Sequence, residues 1–210
     1  MDIHSEKIIN QQLDRAIRNL RLHQFETSIL EKKEHVLPFL EAQIEQGSSV
    51  AVGGSMTLAA CGVIDWLRTG HVSFIDRYQP GIDVNEAFRR GLSADVFLMS
   101  SNAVTLEGEL VNTDGTGNRV SALIFGPKKV YVVVGINKLV FTREEAQERI
   151  RQKAAPMNCE RLDRDTPCRL VGECVDCNVA QRICSANVVL SRSHVPGRIH
   201  IVFVKEALGY

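Results

Sequence analysis

Five of the six cysteines fall between positions 159 and 184, in the order Cys159-x8-Cys168-x5-Cys174-x2-Cys177-x6-Cys184. The two-residue gap between Cys174 and Cys177 lets two thiolates reach one metal centre without stretching the chain. Cys168 and Cys184 flank that pair at loop-length distances and complete a set of four. A thiolate-only set selects zinc or an iron–sulfur cluster. The spacing is neither a standard ferredoxin nor a standard zinc-finger pattern. Buried or reactive free thiols, or a C-x-x-C redox pair, are the competing readings. Disulfides are the poorer alternative, because disulfide frameworks belong to small secreted chains. The N-terminus MDIHSEKIINQQLDRAI has no apolar signal-peptide core. Cys61 sits in an apolar stretch and reads as a core thiol.

Two further constellations can hold a ligand. Gly53-Gly54-Ser55-Met56-Thr57 follows a short apolar run and opens into a helical pattern. A strand ending in glycines before a helix aims backbone N–H groups at one point, which suits a phosphate or carboxylate. Ser55 and Thr57 add hydroxyls. The motif is neither a Walker loop nor a G-x-G-x-x-G fingerprint, and a plain tight turn explains it equally. The second constellation runs from Glu107 to Arg119. It brings Glu107, Glu109, Asn112, Asp114, Asn118 and Arg119 around three glycines. Loops at the C-terminal ends of parallel strands are where α/β folds place ligands. Glu107, Asp114 and Arg119 are the candidates for acid/base or positioning work. Gly53, Gly54, Ser55, Thr57, Asn102 and Asn118 are the candidates for ligand binding. A hairpin turn at Asp114-Gly115 and a helix cap at Thr116 or Asn118 are the structural alternative.

Strands and helices must alternate to position these groups. Helical spacing runs from residue 5 to about 20, and again over Ile29–Gln46, with Pro38 as a kink or break. Strands are predicted at 22–27, at 49–52, at 71–75, at 95–99, at 109–112 and at VYVVV, 130–134, the most apolar and hence central one. Helices are predicted over 56–68, 84–91 and 118–125. Another follows Thr142, an N-cap with Glu144 and Glu145 in the first turn. This is an α/β domain with a mostly parallel sheet and helices on both faces. One domain spans 1–210. It divides into an N-terminal helical part (1–46), an α/β core (47–157), a cysteine-rich metal-binding segment (158–186) and a C-terminal hairpin (187–210) turning at Pro196-Gly197.

Composition narrows the function classes. The 210 residues carry 25 Lys and Arg against 25 Asp and Glu, with 44% hydrophobic residues. No basic excess marks a nucleic-acid partner, and no apolar run approaches the roughly 18 residues of a membrane span. The expectation is a cytoplasmic protein, with a homodimer as the default assembly.

The strings VAVGGSMTL, ADVFLMSSNAVTLEGELVNTDGTGNRVSALIFGPKKVYVVVGINKLV and TPCRLVGECVDCNVAQRIC resemble the LUD-domain family, the lactate-utilization C-type proteins once described as a domain of unknown function. The resemblance covers about residues 5–190. Cys168, Cys174, Cys177 and Cys184 fall on the pattern of one branch, and Cys159 looks extra. The resemblance implies a fold similar to ribose-5-phosphate isomerase, glucosamine-6-phosphate deaminase and CoA transferases. It also implies an accessory or substrate-binding subunit in oxidation of L-lactate to pyruvate, beside iron–sulfur partner proteins. The cofactor so implied is an iron–sulfur cluster of the 4Fe-4S type on the four cysteines, with a small anionic metabolite as ligand. Structural zinc with isomerase- or transferase-type chemistry, or a non-catalytic anion sensor, stands as the alternative.

Overall fold

The computed structural model describes residues 2–210. The chain opens with α1 (Ile3–Leu22), whose N-cap Asp2 accepts from the backbone of His4 and Ser5. Then come β1 (Glu26–Leu30), α2 (Val36–Gln43), β2 (Ser49–Val52), α3 (Met56–Ala60), α4 (Val63–Leu67), β3 (Ser73–Phe74), α5 (Val84–Gly91) and β4 (Val96–Met99). The second half adds β5 (Ala103–Thr105), β6 (Leu110–Asp114), α6 (Asn118–Ile124), β7 (Lys129–Gly135), β8 (Leu139–Val140), α7 (Arg143–Arg149), α8 (Ala155–Arg161), α9 (Pro167–Val171), β9 (Ala186–Leu190) and β10 (Ile199–Val204).

Six strands form one parallel sheet in the order β1-β10-β7-β4-β2-β3. Period-2 alternation splits its side chains between two cores. Val130, Val132, Val134, Ile201 and Phe203 pack on α1, α5 and α6 through Leu13, Leu20, Ala87 and Leu123. Val133, Val202, Val204 and Leu98 pack on the opposite face, against Leu40 of α2, Leu58 of α3 and Trp66 of α4. Burial on both faces is what β-branched runs such as VYVVV demand, and β7 occupies an interior position as its composition predicts. Thr142 caps α7 through its hydroxyl, which accepts from Glu145 N. Among the described residues, no helix is long and apolar enough to cross a membrane.

Several expectations are corrected. The C-terminal hairpin does not form. β10 enters the central sheet, parallel to both β1 and β7. β9 instead pairs antiparallel with β6, in a second sheet of order β8-β5-β6-β9. All six residues of β10 are buried, so its place is sheet interior and not a solvent-facing ribbon. The short strand expected at 22–27 forms later, as β1 (Glu26–Leu30), at an edge of the central sheet. The single helix over 29–46 is β1, a 3₁₀ turn and α2. Pro38 lies in the first turn of α2, where a missing N–H costs nothing and no kink results. The helix over 56–68 is broken in two at Gly62, whose φ of +71° only glycine adopts freely.

The helix after Thr142, expected to end near Ala155, runs on to Arg161, from α7 through a widened π-type turn at Ile150–Ala154 into α8. The wide turn directly precedes Pro156, which cannot donate to the regular ladder. α8 then serves two sites. Asn158 and Arg161 lie three apart on one face, and Ala155 and Cys159 lie four apart on another.

Candidate functional site

A cavity of about 300 Å³ opens where β2 and β4 end, between the central sheet and the second sheet. Gly54, Ser55, Asn102, Asp114, Asn118 and Arg119 line it. The two glycine-hinged segments read from the sequence therefore meet in one place. This is the carboxyl end of the parallel strands, as the topology rule requires.

Arg119 organises the wall. It is buried, and all five of its N–H groups are used. Nε donates to Asp114 Oδ2 at 3.0 Å, Nη1 to Ser100 O at 3.1 Å and to Asn112 Oδ1, and Nη2 to Asn102 Oδ1 at 3.2 Å and Thr113 O at 2.9 Å. Burial pulls its guanidinium pKa down while Asp114 pushes it back up. With no donor left over, Arg119 holds the β4–β5 turn to the β6–α6 turn. It positions ligand-facing groups and does not itself reach a ligand. Gly53 lies behind it: a Cβ there would stand 3.0 Å from Arg119 Cδ. Gly53 thus shapes the wall without lining the cavity. Arg119→Met is expected to cost about 3–5 kcal/mol, because it strands Asp114 and four other acceptors. Arg119→Lys recovers little of this, since a point charge cannot replace a five-donor fork. Urea denaturation of both variants measures the loss, and stability within about 1 kcal/mol of wild type would refute the role.

The remaining expected residues separate. Ser55 spends its hydroxyl capping α3 through Leu58 N at 3.2 Å. Thr57 is buried beneath the cavity, donating to Leu208 O at 3.2 Å. Glu107 lies elsewhere: it is exposed and pairs with Arg15, so it is no part of the site. Glu109 pairs with Arg143 and accepts from Ser191.

Four cations escaped the sequence reading. Lys138, Arg77, Arg161 and Arg164 all line the cavity. Lys138 is 2% exposed. Its Nζ donates to Thr57 Oγ1 at 3.0 Å and to Ser100 Oγ at 2.9 Å, with no carboxylate among its partners. Burial, with Arg149 and Arg119 nearby, brings its pKa down to about 7. Arg77 stacks over Phe88 and Tyr78, and its Nη2 donates to Tyr78 Oη at 2.9 Å. These residues come from separate segments, so no local motif announces them. The one usable signal was Lys138 itself, a lysine three residues after the buried run VYVVVG.

The cysteines converge. Cys159, Cys168, Cys174, Cys177 and Cys184 all line one small cavity of about 20 Å³, with Ala155, Thr166, Val175, Arg182 and Ile183. Cys159, which looked extra, is among its buried members. Cys61 lies apart, in the core under α3 and α4. The loop between α9 and β9 is tied by Arg182, which donates to Cys177 O, to Cys184 O at 3.0 Å and to Asp176 Oδ1 at 3.1 Å. Asp176 adopts a left-handed φ of +49°, and its N–H donates to Cys174 Sγ at 3.4 Å. That curl suits a thiolate ligand. Burial and the neighbouring thiols raise the Cys184 pKa to about 11, a penalty that a bound cation reverses. As they stand, no three His, Cys, Asp or Glu groups among the described residues form a metal-holding set. The thiols share a wall without yet closing a coordination shell. Ile183 lines both cavities, and its backbone packs against Gly115.

A model of the LUD domain matches residues 13–204. Among solved structures, a DUF162 family protein from Deinococcus radiodurans is similar, with a TM-score of 0.53 and 16% identity over 93% of this chain and 97% of that one. At that identity the likeness shows the fold alone. No curated protein matches the chain.

Proposed function

The chain belongs to the LUD-domain family, which is associated with lactate utilization, and from that premise we propose that it is an accessory, anion-binding subunit serving the oxidation of L-lactate to pyruvate. The cavity at the strand ends takes a small anionic metabolite. Cys168, Cys174, Cys177 and Cys184 hold an iron–sulfur cluster, and Cys159 stands beside them as a fifth thiol. The cluster supplies one-electron transfer when bound, to iron–sulfur partner proteins.

The observation that carries this reading is the shared wall. Five thiols from α8, α9 and the following loop face one cavity, and Ile183 separates that cavity from the cationic one. The donor set is all sulfur, which disfavours the hard cations and suits soft or borderline metals, zinc and iron–sulfur clusters among them. The free volume between the thiols favours zinc as the second reading, because about 20 Å³ accommodates a single ion. The loop between α9 and β9, which carries Cys174, Cys177 and Cys184, contains no helix or strand.

Anaerobic purification with metal and sulfide analysis separates the two. The iron–sulfur reading expects a brown protein that contains iron and inorganic sulfide and bleaches with dithionite. Stoichiometric zinc in a colourless protein supports the structural-zinc reading. A colourless protein with neither metal overturns both.

A further inference from the structure

We propose that the cationic cavity is built for the phosphoryl group of a small phosphorylated metabolite, with Lys138 at its floor and Arg77 and Arg161 at its rim, and not for a free monocarboxylate such as lactate. The inference deepens the preceding reading and rests on it, taking the cavity as the anion site and naming the anion.

The first argument is charge balance. Arg77, Arg119, Lys138, Arg161 and Arg164 line the cavity, and among the described residues Asp114 is the only acidic side chain in the lining. Asp114 is already committed. Its Oδ2 accepts from Arg119 and its Oδ1 from Gly117 N at 2.7 Å. Among the described residues, Arg77, Lys138, Arg161 and Arg164 form no salt bridge with any side chain. One carboxylate would leave most of that surplus unmatched. A phosphate monoester brings close to two negative charges and three acceptor oxygens.

The second argument is geometry. Arg77 Nη2 and Arg161 Nη2 lie 2.8 Å and 3.9 Å from the point where a Cβ on Gly54 would sit. Two like-charged guanidinium groups thus converge over a bare backbone, with no acid between them. Planar forks of this kind match phosphate oxygens. Arg77 is pre-positioned by its stacking on Phe88 and Tyr78, and its buried Nε has no partner. Lys138 is buried with only two hydroxyl partners. A buried ammonium without a counter-ion is costly, and its lowered pKa reports that cost. A dianion at the floor reverses it. The third argument is size: about 300 Å³, the low end for ligand pockets, suits a small ester better than a nucleoside diphosphate.

The test is calorimetric titration of the intact protein, with metal content measured in the same samples. Matched pairs isolate the phosphate: 3-phospho-D-glycerate against D-glycerate, ribose 5-phosphate against ribose. L-lactate and ADP are separate arms. At least one phosphorylated member is expected to bind about tenfold or more tightly than its partner and than lactate. Arg161→Gln, an exposed rim change, is expected to weaken that ester about tenfold while leaving the melting temperature and metal content unchanged. Arg77→Gln is expected to weaken it similarly, and Gly54→Ala to do so by displacing Arg77. Lactate or glycerate binding as tightly as any ester overturns the phosphate assignment while sparing the anion site. ADP binding more tightly than every small ester overturns the size argument. No binding by any anion overturns the cavity's assignment itself, whatever the metal content. Unchanged ester affinity in both arginine variants overturns the subsite.

Discussion

Replacing Cys174 and Cys177 together by serine is expected to leave the protein without bound metal and to free the loop between α9 and β9. Residues 172–185 contain no helix or strand. Besides the thiol cavity, the loop is held to the rest of the chain by Cys174 N donating to Arg151 O at 3.0 Å, Asp165 N donating to Gln181 Oε1 at 3.1 Å and Ser185 N donating to Asp114 O at 2.9 Å, while Arg182 ties the loop only to itself. Metal binding at an all-cysteine site is folding free energy for the segment that supplies the ligands. Losing it should open the loop locally while the parallel sheet persists. Tryptic cleavage after Arg182 should then accelerate at least roughly tenfold, the factor that about 1.4 kcal/mol of lost local stability supplies. Cys61→Ser, far from the cavity, should change neither metal content nor cleavage. Full metal content in the double variant would contradict the assignment of these two ligands.

Lys138→Met should make the ligand-free protein more stable at pH 6 while abolishing anion binding. The folded pKa of Lys138, about 7, lies below its ordinary value of 10.5. Between those values the unfolded chain carries more protons, so the wild-type protein gains stability as pH rises through that interval. Below pH 7 both states hold the proton and the full cost of the buried ammonium is felt. Methionine removes that cost. The expected gain at pH 6 is on the order of 3 kcal/mol, from roughly 1.4 kcal/mol per displaced pH unit less the bonds to Thr57 and Ser100. The gain should shrink steadily toward pH 10. Urea denaturation at pH 6 and pH 9 measures it, and a variant less stable than wild type at pH 6 would refute the reading. A residue that costs the empty fold this much is one retained for a ligand.

Much of the scaffold was legible in local pattern. The run VYVVV could only be buried on both faces, and Thr142 followed by two glutamates announced a helix start. The tail was not legible, because period-2 alternation reads the same for a hairpin and for two strands in different sheets. The near-continuous apolar run IHIVFV at 199–204 was the overlooked sign that β10 is interior. The site was half legible. Glycine-hinged loops and clustered cysteines are local signals, and both assembled. The cations Arg77, Lys138, Arg161 and Arg164 meet only through long-range topology, and single basic residues carry no spacing signal. Glu107 misled because a polar loop position can face solvent as readily as a ligand, and Arg15 on α1 claimed it. Cys159 looked extra against the pattern of the resembled branch, yet α8 brings it to the same cavity.

X-ray absorption at the metal edge of the anaerobically purified protein bears most directly on whether these thiols hold a metal centre. The expected first shell is sulfur alone, at about 2.3 Å if the metal is zinc, with additional iron–iron scattering if it is a cluster. An oxygen- or nitrogen-dominated shell, or a protein that binds neither metal, would contradict it.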